Sequence, residues 1–143
     1  MTELRGAAKV LGVVGSNFRF TSNLDYMNLV DRGLPLKSLD IICQAIAPSD
    51  VNFKYRIVPK ATLARAKSRR KLSAVQSVLV TRLASIWWTA QRIWKTPEKA
   101  RDFLSRPHPL LEGRRPIDLV LENEIGAELV RDVLGRLEHG SAV

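Results

Sequence analysis

The chain has 143 residues, 45% of them hydrophobic, and carries 23 Lys/Arg against 14 Asp/Glu for a net charge of +9. That length suits one ordinary domain or two small ones sharing a core, and that apolar content excludes disorder throughout. The lone cysteine, Cys43, excludes an internal disulfide, and no apolar run approaches the roughly 18 residues of a membrane span, which together point to a cytoplasmic protein.

Residues 1–23 show no sustained period and end in the turn-rich run Gly15 to Asn23, so they read as a weakly structured arm. The stretch Ala7 to Gly15 is too short and interrupted for a signal peptide. Asn23 is a candidate N-cap for a short helix over Leu24 to Arg32, stopped by Gly33. Leu36, Leu39, Ile42, Cys43 and Ile46 recur at three- and four-residue steps, which predicts an amphipathic helix ending at Pro48. Cys43 within that run reads as a buried, inert thiol. Ser49 or Asp50 caps a helical turn before Val51 to Tyr55, and Pro59 suits the first position of the next helix, where its missing N–H has no partner to lose.

That helix, about Pro59 to Lys67, is two-faced. Leu63 anchors it inward, Lys60, Ala66 and Lys67 flank the anchor, and Ala61, Thr62, Arg65, Ser68 and Arg69 point away. Small residues beside Arg and Thr allow close approach to a DNA groove, and the preceding short helices match a helix-turn-helix layout. Arg69, Arg70 and Lys71 leave the helix as phosphate contacts. Lys60, Thr62, Arg65, Ser68, Arg69, Arg70 and Lys71 are therefore the candidate DNA-binding residues. Charge supports them: residues 54–101 carry thirteen basic side chains against Glu98 alone, whereas residues 1–53 are neutral and residues 102–143 carry a net −3.

Ser73-Ala74-Val75-Gln76 has the capping-box pattern, and a stripe of Val75, Val78, Leu79, Leu83, Ile86, Ala90 and Ile93 predicts one long helix reaching about Lys95. Trp87 and Trp94 share a face suited to a core or dimer seam, which leaves Trp88 for a second partner. Thr96-Pro97-Glu98 opens a helix that ends before Pro107, and Pro116 opens another with Asp118 at its third position. After a break at Gly126-Ala127, a last helix runs from about Ala127 to Gly140.

The ordered punctuation from Arg106 to Gly140 resembles the toxin-binding domain of the Xre/MbcA/ParS antitoxins. It runs Arg106-Pro107-His108-Pro109, Glu112-Gly113-Arg114-Arg115-Pro116-Ile117-Asp118-Leu119, Gly126-Ala127 and Val133-Leu134-Gly135-Arg136-Leu137-Glu138-His139-Gly140. The resemblance extends upstream through Pro59 to Arg65 and Lys71-Leu72-Ser73, covering roughly residues 34–140. Two departures stand out: Val75, Gln76 and Leu79 replace a charged pattern usual in the family, and Arg115 replaces a capping Thr or Ser. The resemblance implies a RES-domain toxin that attacks NAD as partner, operator DNA as a second one, and a homodimer.

The expected fold is all-α: a weakly structured arm (1–23), an Xre-like helix-turn-helix and dimerisation region with a long connecting helix (24–95), and a toxin-binding domain (96–143). Inhibition is expected to be steric, the last helix and tail blocking the toxin's NAD pocket. Position alone nominates Leu134, Arg136, Leu137, Glu138, His139 and Gly140 as toxin-binding residues. His108 and His139 lack companions at metal-ligand spacing, and no nucleophile order, phosphate loop or paired carboxylates suggests catalysis, a metal or a cofactor. The main alternative is a stand-alone transcription regulator whose C-terminal part senses a ligand or dimerises. An RNA-binding protein using the basic middle is a third reading.

Overall fold

A computed structural model of the protein describes residues 3–14 and 22–140. Among these residues there are eight α-helices and no strand: α1 Glu3–Val10, α2 Asn23–Arg32, α3 Lys37–Ile46, α4 Lys60–Ala66, α5 Ala74–Trp94, α6 Pro97–Ser105, α7 Pro116–Glu122 and α8 Glu124–Glu138. Short 3-10 turns occupy Phe53–Arg56 and Pro109–Leu111. The all-α class is the one expected. None of the helices is long and apolar enough to cross a membrane, among the residues described.

The long helix α5 is the axis of the fold and packs against α1, α2, α3, α6, α7 and α8. Its start is fixed by the expected capping box: Ser73 Oγ accepts the Gln76 N–H at 3.1 Å while Gln76 Oε1 accepts the Ser73 N–H at 2.9 Å. Contact on many sides also explains why the predicted apolar stripe is only part of the buried face. Val75 and Val78 are 81% and 49% exposed, whereas Leu83, Ile86 and Ala90 of the stripe are buried as predicted and are joined by Ser77, Val80, Ala84 and Trp87. Buried polar residues take part because they find partners. Ser77 Oγ accepts the Leu34 N–H at 2.8 Å, and the Tyr26 hydroxyl bonds Thr81 Oγ1 at 2.6 Å, tying α2 to α5.

Two local expectations need correcting. The N-terminal residues are not a loose arm over 3–10: they form α1, and Ala7, Ala8, Leu11 and Val13 are fully buried. Gly6 approaches α5 so closely that a Cβ there would stand 2.3 Å from the Trp88 ring, so α1 covers one side of Trp88, which stays half-buried. Glu3 fastens the start of α1 by accepting from Thr89 Oγ1 at 3.3 Å and Arg131 Nε at 2.8 Å. The remainder of the expected arm, 15–21, lies outside the described residues. The helix after it is capped by Ser22 rather than Asn23, Ser22 and Asp25 forming a reciprocal box.

The second correction is at Gly126-Ala127, which is no break. Asn123 alone separates α7 from α8 and caps α8, its Oδ1 accepting the Gly126 N–H at 2.9 Å. Gly126 serves a close approach, since a Cβ there would lie 2.1 Å from the Leu119 carbonyl oxygen. Buried residues from Ala7 to Leu134 form one contiguous cluster, so the regions 24–95 and 96–143 share a single core through α5.

Candidate partner-binding surfaces

Helix α4 presents the basic segment as its sequence predicts. Leu63 and Ala66 are buried, Thr62 is half-buried, and Lys60, Arg65, Lys67, Ser68, Arg69, Arg70 and Lys71 are exposed. Arg65 donates to Thr62 Oγ1 at 3.4 Å and Ser68 Oγ donates to the Arg65 carbonyl at 3.0 Å, so these three polar groups hold one another on the outer face. The exit from α4 is fixed rather than loose. Leu72 N–H donates to the Leu34 carbonyl at 2.9 Å and Leu36 N–H to the Arg70 carbonyl at 3.0 Å. Gly33, at φ 100°, permits this: a Cβ would sit 2.2 Å from the Leu72 oxygen. Arg70 itself takes φ 56°, a left-handed conformation that costs a non-glycine residue roughly 1–2 kcal/mol.

The charge on this face is unspent. Lys60, Arg65, Lys67, Arg69, Arg70 and Lys71 enter no ion pair among the described residues, whereas basic residues of the C-terminal part are mostly engaged. Arg115 binds Asp118 through two nitrogens, each at 2.9 Å, and Arg56 reaches the same carboxylate from the Phe53–Arg56 turn. The Arg115 hydrogen bond, aided by Arg56 and opposed by partial burial, holds the Asp118 carboxyl below the usual carboxylate range. Thus the arginine found in place of a capping hydroxyl bridges to the third helical position of α7.

Arg131 of α8 joins three carboxylates, Glu3 at 2.8 Å, Glu124 at 2.7 Å and Glu128 at 2.6 Å, and Glu124 also accepts from Arg82 at 3.1 Å. Burial alone would raise Glu124; the hydrogen bonds from Arg131 and Arg82 outweigh it and hold the carboxyl low. These ties lock α1, α5 and α8 together. Cys43 is half-buried, and desolvation with nearby Asp40 pushes its thiol up to about 12, which leaves it protonated and inert.

The nominated C-terminal residues divide sharply. Leu134 is fully enclosed and so belongs to the core; it is withdrawn as a contact residue, because no partner atom can reach it. Leu137, one turn later, is half-buried and lines a groove with Trp94, Phe103 and His108. Glu138 pairs with Arg92 of α5, while Arg136, His139 and Gly140 are exposed. The last turn of α8 is therefore anchored on one side and open on the other. His108 is structural as well: its Nδ1 accepts the Leu110 N–H at 3.1 Å, shaping the turn before α7.

With this geometry in view, one comparison decides the assignment. Residues 89–140 match the antitoxin Xre/MbcA/ParS C-terminal toxin-binding domain. The match covers the C-terminal third of the chain and shows what that segment is similar to. The match begins inside α5, at Thr89, and ends just beyond α8. No curated protein sequence matched the chain. The match supports an antitoxin role with a toxin protein as partner, and points to regulation rather than catalysis. No cluster of metal-ligating side chains forms among the described residues.

Two features in or beside the matched segment are not evident in the sequence. One is α1, which packs on α5 beside Thr89 although it is far away in sequence. The other is the aromatic groove beside Leu137. Its members come from three separate segments, and Trp94, His108 and Leu137 were singled out beforehand only one by one, not as a group.

Proposed function

We propose that this chain is the antitoxin of a type II toxin–antitoxin pair, that its partner is a RES-domain toxin acting on NAD, and that it represses the operon encoding both. The observation that carries the reading is the family match over residues 89–140, in a domain whose last helix ends in the exposed Arg136, His139 and Gly140 beside half-buried Leu137. Inhibition is steric. The end of α8, with His139 and Gly140, sits across the entrance to the toxin's NAD pocket, with α5 and Arg92 bracing the helix behind it.

The DNA-binding half of the reading rests on α4. Its unpaired basic side chains, its Thr62–Arg65–Ser68 ridge and the firm backbone ties of Arg70 and Leu72 suit an Xre-like recognition helix. Arg65 and Thr62 read base edges, while Ser68, Arg69, Arg70, Lys71 and Lys60 hold phosphates. A homodimer places two such helices on a two-fold operator. Both partners, operator DNA and an NAD-consuming toxin, place the protein in the cytoplasm.

Co-expression tests this directly. The RES-domain protein encoded beside this chain should deplete cellular NAD when expressed alone and leave NAD unchanged when both are expressed. Depletion that proceeds equally in the presence of this chain would overturn the proposal.

A further inference from the structure

A groove of about 500 Å³ opens where the ends of α5 and α8 meet α6 and the turn after it. Its walls are aromatic and apolar. The Trp94 and Phe103 rings stand 5.8 Å apart, Phe103 and His108 meet edge to face at 6.0 Å, and Leu137 of α8 completes the wall. Lys99, Asp102 and Arg106 stand on the rim. Asp102 and Arg106 approach to 3.6 Å, but their side chains are 66% and 75% exposed, so this pair exchanges readily for another.

The hydrogen-bonding capacity of the groove is lopsided. His108 uses Nδ1 as an acceptor for the Leu110 N–H, which in the neutral ring leaves the hydrogen on Nε2 as a donor. Trp94 Nε1 is buried and finds no acceptor among the described residues, although buried donors are normally paired. Lys99 and Arg106 bring donors only. Against these donors the groove sets one side-chain carboxylate, the exposed Asp102. Leu137 makes it continuous with the last turn of α8, the part assigned above to the toxin.

We infer that this groove is the seat of a toxin segment that presents a large apolar side chain beside a carboxylate. The apolar side chain enters between Trp94, Phe103 and Leu137. The carboxylate takes Arg106 and Lys99, displacing Asp102 from its exposed pair. The toxin is then gripped behind the end of α8, which aims that end at the pocket it blocks. The inference rests on the antitoxin reading and adds the anchoring site and the chemistry of its guest.

The test measures affinity between the full chain and the proposed RES-domain toxin, each purified separately. Reversing both exposed rim charges, Lys99→Glu with Arg106→Glu, should weaken binding at least about tenfold, most strongly at low salt, and leave the melting temperature unchanged. Leu137→Ala trims the apolar wall and should weaken binding about fivefold. Asp102→Asn should tighten it. If the unaltered chain binds and all these variants stay within about twofold of it, as screened rim charges would, the groove is not the anchor and the antitoxin reading survives alone. If the unaltered chain does not bind, both fall.

Discussion

Replacing Gly126 by alanine would put a methyl carbon 2.1 Å from the Leu119 carbonyl oxygen and 2.8 Å from its carbon. Both obstacles are backbone, so no side-chain rotation relieves the clash; α7 and α8 must part by roughly 1 Å to restore ordinary contact. Overpacking of this kind costs about 1–3 kcal/mol. The helical preference of alanine returns at most about 1 kcal/mol, and less here because Gly126 lies in the first turn of α8. A net loss near 2 kcal/mol follows, which lowers the melting temperature by roughly 4–8 °C in a chain of this size. Gly135 supplies the control. It lies in the same helix, yet a Cβ added there meets nothing within 4 Å. Gly135→Ala should therefore stabilise the protein, by up to about 1 kcal/mol. Thermal and urea unfolding followed by circular dichroism would compare them. If Gly126→Ala melts at or above the temperature of the unaltered protein, the close helix approach is not what requires glycine.

The other predictions address α1, the basic face and the acidic limb of stability. Gly6→Val drives a side chain into the Trp88 ring, so α1 should detach, tryptophan emission should shift to the red and the melting temperature should fall; unchanged emission would contradict the packing. A dimer making about 6–10 phosphate contacts should bind operator DNA with a log–log salt slope of about −5 to −9. Arg65→Ala should cost about 1–3 kcal/mol and relax one base pair per half-site, while Lys71→Ala weakens all sequences alike; a flat salt response would remove the DNA-binding reading. Asp118 has a depressed folded-state pKa, so its contribution is fully present above the ordinary aspartate value of about 3.9 and is lost as pH falls through the lower folded value. Asp118→Asn should flatten that part of the melting-temperature curve, and parallel curves for the two proteins would refute the ion-pair account.

Helices with a cap and one apolar face were legible from residues alone. Ser73 with Gln76, Thr96 with Pro97 and Pro116 with Asp118 mark starts that the structure reproduces, because the capping chemistry is local. Helix α5 was legible as a helix, and its facing was legible at Leu83, Ile86 and Ala90. It was not legible at its start, where Val75 and Val78 are exposed, nor at Ser77 and Ala84, which neighbours on other sides bury. Helix α1 was not legible at all. Its Gly6-Ala7-Ala8 face is built of small residues and acquires meaning only against Trp88, some eighty residues away. Gly126 shows the same limit, its sequence reading as a break when the cause is a distant carbonyl. The basic face of α4 was found because thirteen like charges need no contact map. The aromatic groove was not, because Trp94, Phe103, His108 and Leu137 converge only in three dimensions.

The central claim is that the C-terminal domain closes the toxin's NAD pocket. Binding of a fluorescent, non-hydrolysable NAD analogue to the RES-domain toxin, alone and saturated with this chain, measures it most directly. The account predicts that the analogue binds the free toxin and fails to bind the complex, and that excess analogue competes with the chain. An analogue that binds the complex as tightly as the free toxin would show an open pocket and contradict the blocking mechanism.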